Sequence, residues 1–139
     1  DTFANNHRAL YAFVQIDGSE DNYVLAYPSS TAKGYVQIDM LQCSLHDVKV
    51  VKTLNVKAHE SALAYIALTS DGSKMATAGE KGTLIRVFDV NSGKQIREFR
   101  RGSEEAHVYC IAFSGDGNYV CCTSSTGTLH VFSLKDEDK

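Results

Sequence analysis

Two adjacent arginines, Arg100 and Arg101, stand at the end of a β-rich run and directly before Gly102. Guanidinium groups stay charged and donate a planar fork of hydrogen bonds, which makes the pair a candidate phosphate-binding element. Because successive side chains of a strand point to opposite faces, the two arginines are aimed at separate clefts. The alternative is a solvated strand end where the arginines pair with nearby carboxylates: Glu98, Glu104 or Glu105.

The overall charge requires any anion binding to be local. The 139-residue chain has 14 lysines and arginines against 17 aspartates and glutamates, a formal net charge of −3. This balance gives no overall attraction to nucleic acid. Residues 94–101 differ, because four basic side chains against one glutamate give this window a charge of +3. The length suits one domain, no apolar run has the length of a membrane span, and no signal-peptide pattern is present.

The cysteines indicate neither a metal site nor a disulfide scaffold. Their spacing lacks the paired pattern of a zinc site, and their number is too low for a secreted disulfide framework. We therefore predict buried, reduced thiols, with no metal and no cofactor. A hairpin turning at residues 114–118 would bring Cys110 near Cys122, so an oxidised cross-strand pair is the less favoured alternative.

Short β-rich runs alternate with turn residues along the chain, which is typical of an antiparallel all-β fold. The segment "IALTSDGSKMATAGEKGTL" (66–84) matches "IAFSGDGNYVCCTSSTGTL" (111–129) at a constant offset of 45 residues. A period of this length with four strands per unit indicates WD40-like β-propeller blades, with tight turns at "SDG" and "GDG". Third strands are predicted over residues 83–89 and 128–133.

The number of repeats predicts a propeller fragment. We place blades at about residues 10–57, 58–102 and 103–139, the last one incomplete. Propellers close with typically four to eight blades, so about three indicate a single piece of a longer ring. The chain also begins at Asp1 rather than Met, which fits a processed or truncated product. Open blade edges predict pairing with other blades or self-association of the fragment.

The chain resembles the PROPPIN family, the WIPI-type β-propellers that bind phosphoinositides. The resemblance is carried by the degenerate repeats "AHES" and "FD", by "ATAGEKGTLIRVFDVNSGKQIREFRRGS" with "FRRG" at a blade's outer strand, and by "GTLHVF". It implies the middle blades of a seven-bladed propeller. It also implies recognition of phosphatidylinositol 3-phosphate and the 3,5-bisphosphate by a scaffold in autophagy and endolysosomal traffic. Such a protein is cytoplasmic and peripheral on autophagosomal precursor, endosomal or vacuolar/lysosomal membranes, with autophagy-related protein partners.

The resemblance further implies two phosphoinositide sites, one on each side of the arginine pair. On the side of Arg100, the family's basic, imidazole and hydroxyl positions correspond to His59, Thr83 and Arg86. The sequence departs from the family at Gly79, where a serine is usual, so the first site lacks one hydroxyl. On the side of Arg101, the corresponding residues are the hydroxyls and imidazole of Ser124, Thr126, Thr128 and His130.

The sequence is also compatible with two functions other than lipid binding. A propeller that serves only as a protein-interaction platform is the main alternative, because fold does not imply function. Soluble inositol phosphates would compete with a lipid reader and leave such a platform unaffected. Cys110 near His107 could pair as nucleophile and base, but no third orienting group is evident. We therefore predict that the protein is not an enzyme.

Overall fold

Turns rich in glycine, aspartate and serine divide the chain into short strands, seen in a computed structural model that describes residues 9–135. The first sheet contains β1 (Ala12–Gln15), β2 (Asn22–Pro28), β3 (Tyr35–Cys43) and β4 (Val48–Lys57). The second contains β5 (Leu63–Leu68), β6 (Lys74–Gly79), β7 (Leu84–Asp89) and β8 (Gln95–Arg100). The third contains β9 (Val108–Phe113), β10 (Tyr119–Ser124) and β11 (Leu129–Ser133).

Each sheet is an antiparallel meander in which consecutive strands pair. The predicted turns form as expected: the Gly72 N–H donates to the Thr69 carbonyl at 3.0 Å, and the Gly117 N–H donates to the Ser114 carbonyl at 2.9 Å. The prediction of an all-β, WD40-like propeller is confirmed. Within residues 9–135 there is no helix long and apolar enough to cross a membrane.

Two apolar cores join the sheets, one on each face of the second sheet. The first core lies between the first and second sheets and includes Ile38 and Met75. The second lies between the second and third sheets and includes Ile85 and Val120. Because strand side chains alternate between faces, β5, β6 and β7 contribute to both cores, whereas β8 contributes Phe99 to the second core. No described residue covers the far face of the third sheet, and Val131 on it is 63% exposed.

The cysteines are all free within the described residues, and only one is fully buried. Cys110 lies opposite Thr123, whereas Cys122 lies opposite Ile111, so the two thiols point to opposite faces of the third sheet. They cannot form the cross-strand disulfide left open by the sequence. The prediction of buried thiols is correct for Cys122, whereas Cys43 and Cys121 are only half-buried. It is wrong for Cys110, whose side chain is exposed because it points away from the buried Ile111.

Candidate functional site

The two arginines at the end of β8 have different surroundings. Arg100 is exposed, and no described residue forms a side-chain hydrogen bond or ion pair with it. Arg101 is only 7% exposed. Its Nε donates to the Gly82 carbonyl, its Nη2 donates to the Glu104 carbonyl, and its backbone N–H donates to the Thr83 carbonyl at 2.8 Å. Arg100 is therefore available to a ligand, while Arg101 braces the backbone.

Arg100 shares a sheet face with Arg86. Leu84 pairs with Arg100 and Arg86 pairs with Glu98 across β7 and β8, and directly opposed side chains lie on the same face. Arg86 Nε lies 2.9 Å from Glu98 Oε1, and Arg86 Nη1 donates to the Ala58 carbonyl at 2.7 Å. The guanidinium of Arg86 is thus already paired with a carboxylate. The guanidinium of Arg100, on the same face, has no such partner among the described residues.

A pocket of about 220 Å³ lies beside Arg86, between the second sheet and the connection that precedes it. It is lined by the β4–β5 connection, the end of β6 and the following turn: His59, Glu60, Ser61, Gly79, Lys81, Gly82, Thr83, Leu84 and Arg86. The fold therefore brings together the three residues predicted for the Arg100 side. Sequence reasoning missed Ser61 and Lys81, although both stand in the quoted segments "AHES" and "AGEKGT".

His59 lies in this pocket wall as a neutral imidazole. It is 7% exposed, and its Nε2 is 2.9 Å from Thr77 Oγ1. Burial lowers the pKa of His59 from 6.5 to about 4, and the nearby positive charge of Arg86 acts in the same direction. At neutral pH, His59 can thus hydrogen-bond to a ligand but offers it no positive charge.

The four residues predicted for the Arg101 side form one hydrogen-bonded chain along the third sheet. Ser124 Oγ lies 2.7 Å from Thr126 Oγ1, which lies 3.1 Å from Thr128 Oγ1. Thr128 Oγ1 lies 3.0 Å from His130 Nε2. The chain runs from the buried Ser124 to the exposed Thr128, and among the described residues none of the four is hydrogen-bonded to Arg101. It presents a row of groups that can donate or accept at the protein surface.

The residues considered for catalysis and for metal binding have other surroundings. Cys110 Sγ lies 3.7 Å from Tyr65 Oη, and the His107 ring stacks on Tyr109 with centroids 6.5 Å apart. The two residues weighed as nucleophile and base therefore contact other side chains. In the part of the chain that the structure describes, no group of three or more histidine, cysteine, aspartate or glutamate side chains could hold a metal ion.

Comparisons with known proteins give a consistent result. A sequence model of the family described as PROPPIN matches residues 3–138. The chain is 38% identical over 136 residues to WD repeat domain phosphoinositide-interacting protein 1 of Xenopus laevis, covering 96% of this chain and 30% of that protein. It is 38% identical over 122 residues to autophagy-related protein 21 of Pichia angusta, covering 87% and 31%. The solved structure of Kluyveromyces lactis Hsv2 with a complete loop 6CD matches with a TM-score of 0.77 at 31% identity, covering 91% of this chain and 37% of that chain. The chain thus spans about a third of the length of these relatives.

Proposed function

Since the chain belongs to the PROPPIN family, we propose that it binds phosphoinositide headgroups as part of a membrane-recruited scaffold in autophagy and endolysosomal traffic. The proposed ligands are phosphatidylinositol 3-phosphate and the 3,5-bisphosphate. The names of two relatives support the proposal, one being called phosphoinositide-interacting and the other autophagy-related. The proposed places of action are autophagosomal precursor, endosomal and vacuolar/lysosomal membranes, with autophagy-related proteins as partners.

The observation that carries this proposal is the uncommitted guanidinium of Arg100. It lies on the same sheet face as Arg86, which lines a pocket that also contains Lys81 and the Thr83 hydroxyl. A phosphate monoester needs several cationic and hydroxyl donors at once, and guanidinium can contact two of its oxygens together. Glu60, the acidic residue of the pocket wall, pairs with Lys57 at 3.2 Å, which offsets its charge.

The second proposed site uses Arg101 in a different way. Its guanidinium is buried and donates to the carbonyls of Gly82 and Glu104, so its role is to position the loop and to supply positive potential. Direct contacts to a headgroup come from the hydroxyl chain that ends at Thr128 and His130. Two weak sites on one rigid surface gain affinity through effective concentration when both lipids lie in one bilayer.

A protein-interaction platform without lipid binding is the second candidate. The specific observation in its favour is that Arg101 already has backbone partners without any ligand. Soluble inositol phosphates distinguish the two functions, since they compete with vesicles for a lipid site and do not displace a protein bound elsewhere.

Vesicle flotation tests the lipid proposal. Purified wild type and Arg100→Thr are compared on phosphatidylcholine vesicles with and without phosphatidylinositol 3-phosphate. Lys94→Thr is the matched control, because it removes an equal charge from an exposed residue of the same basic window. We expect Arg100→Thr to weaken binding roughly tenfold, as for loss of a charge-assisted hydrogen bond, and Lys94→Thr to bind as wild type. If a folded Arg100→Thr protein floats as well as wild type, the platform function replaces this proposal.

A further inference from the structure

Gly79, the last residue of β6, has no side chain, and the side chain of Ser61 occupies the space beside it. The equivalent position of the next sheet, at the offset of 45, carries Ser124. A Cβ on Gly79 would lie 2.7 Å from Ser61 Oγ and 3.1 Å from Cβ and Cγ of His59. The φ angle of Gly79 is not positive, so its conformation does not require glycine. A side chain at position 79 and the hydroxyl of Ser61 therefore compete for one volume.

The Ser61 hydroxyl is not used within the described part of the chain. Its Oγ makes no hydrogen bond to any described residue, and the side chain is half-buried in the pocket wall that also contains Lys81 and Arg86. Ser124 differs, because its Oγ is 2.7 Å from Thr126 Oγ1. A hydroxyl with an unused donor beside two cations is suited to an anionic oxygen.

We propose that Ser61 supplies the hydroxyl of the Arg100 site, in the volume that a serine at position 79 would take, and donates it to a phosphate oxygen of the headgroup. This inference rests on the proposed function. It places the donor on the connection between β4 and β5, so the packing of the first sheet against the second sets its distance from Arg100.

The proposal reverses the expected effect of restoring the family's serine at position 79. Gly79→Ser adds a hydroxyl, but its Cβ forces Ser61 Oγ away and crowds the His59 ring. We therefore expect Gly79→Ser to weaken binding. In Ser61→Ala/Gly79→Ser the missing Oγ leaves room for the new serine, and binding returns toward the wild-type level.

The experiment is a double-mutant cycle on the purified protein. Wild type, Ser61→Ala, Gly79→Ser and the double variant are titrated with soluble inositol 1,3-bisphosphate by calorimetry. Flotation on vesicles with phosphatidylinositol 3-phosphate repeats the comparison. Ser61→Ala is expected to weaken binding roughly tenfold, as for loss of one hydrogen bond to a charged group. Ser103→Ala, at an exposed serine outside the pocket, is expected to leave binding unchanged.

Arg100→Thr, measured in parallel, separates this proposal from the proposed function. If Arg100→Thr loses binding while Ser61→Ala binds as wild type, the role of Ser61 is wrong and lipid binding stands. If Arg100→Thr binds as wild type, lipid binding itself is wrong. Tighter binding by Gly79→Ser, or a double variant no better than the single ones, also overturns the role of Ser61. Should thermal unfolding show that Gly79→Ser does not fold, Ser61→Ala decides alone, since it removes a hydroxyl that bonds to no described residue.

Discussion

The Arg101 guanidinium donates a hydrogen bond to the carbonyl oxygen of Gly82, which ties the end of β8 to the turn between β6 and β7. A second bond, to the Glu104 carbonyl, fixes the connection that leads to the third sheet. Arg100, one residue earlier, has no comparable partner among the described residues. In the "FRRG" segment, Arg101 therefore stabilises the backbone, whereas the side chain of Arg100 is free to bind a ligand.

This division predicts unequal effects on stability for the same substitution at the two positions. Arg101→Thr leaves the carbonyls of the buried Gly82 and of Glu104 without their charged donor, and hydrogen bonds to charged groups contribute about 1.5–3 kcal/mol. We expect Arg101→Thr to lower the free energy of unfolding by about 2 kcal/mol. Arg100→Thr, an exposed change, should stay within about 0.5 kcal/mol of wild type. Urea unfolding followed by circular dichroism measures both, and equal losses would contradict the division.

Much of the fold was predictable because its signals are local. The 45-residue offset placed the turns that end at Gly72 and Gly117, and each is closed by a backbone hydrogen bond. Strand alternation also predicts that Arg100 and Arg101 point to different faces, and this stays a prediction because β8 ends at Arg100. The partners on each face were not predictable. Gly82 and Glu104 meet Arg101 because the β6–β7 turn and the β8–β9 connection come together beside the end of β8, and a propensity pattern does not contain that approach.

The candidate site shows the same limit. The resemblance to the family indicated that a hydroxyl is missing at Gly79, because a sequence comparison considers each position separately. The structure places Ser61 Oγ in the same volume from a different segment of the chain. The exposure of Cys110 was missed for a similar reason, since the pattern of β9 does not reveal which of its faces remains uncovered.

Gly82 and Gly127 occupy equivalent turns, so the two positions allow a comparison of how much stability is lost when a side chain is added. Both have positive φ angles, 68° and 82°. A Cβ on Gly82 would lie 1.8 Å from the Ala106 carbonyl oxygen, whereas one on Gly127 would meet nothing within 4 Å. Alanine in the left-handed region costs about 1–2 kcal/mol. We expect that loss for Gly127→Ala and at least about 3 kcal/mol for Gly82→Ala in urea unfolding, since backbone must also move. Similar losses of stability at both positions would show that the close approach of Gly82 to Ala106 does not add to the cost of the substitution.

Thr128→Val tests the hydroxyl chain of the third sheet. The change removes the link between Thr126 and His130 at an exposed position, so stability should change by less than about 0.5 kcal/mol. Calorimetric titration with inositol 1,3-bisphosphate should then report one site instead of two. Thr31→Val is the control, because it removes another exposed threonine hydroxyl, 2.9 Å from Ser29 Oγ, in the β2–β3 connection. An unchanged stoichiometry for Thr128→Val would exclude this chain from binding.

Val131→Lys tests whether the uncovered face of the third sheet causes self-association. Val131 is 63% exposed on β11, which pairs with β10 on one side only within the described residues. A charge on this face opposes its burial against a second copy, since burying an unpaired charge is costly. We expect the wild-type chain to sediment as concentration-dependent oligomers and Val131→Lys to shift toward monomer. Val51→Lys, on the outer strand β4, should not produce this shift. A wild-type chain that stays monomeric at all concentrations would refute the prediction.

His59 predicts a loss of stability in mild acid. Its pKa is lowered from 6.5 to about 4, first by burial and then by the charge of Arg86, while a hydrogen bond with the Thr77 backbone and the charge of Glu98 act in the opposite direction. The fold therefore favours the neutral imidazole. The stability that this contributes is fully present above pH 6.5 and is lost as the pH falls toward 4. A shift of this size corresponds to about 3 kcal/mol at most.

The pH dependence of unfolding measures this contribution directly. Between pH 7.5 and pH 4, wild type should lose about 3 kcal/mol more than His59→Gln, because glutamine has no proton to gain. Nuclear magnetic resonance of the ring should show His59 taking up its proton near pH 4. If the ring titrates near its ordinary pKa of about 6.5, or if both proteins lose stability equally, the imidazole is not held neutral by the fold. His59 would then carry a positive charge into the pocket beside Arg86 as the pH falls, and headgroup binding would strengthen in acid.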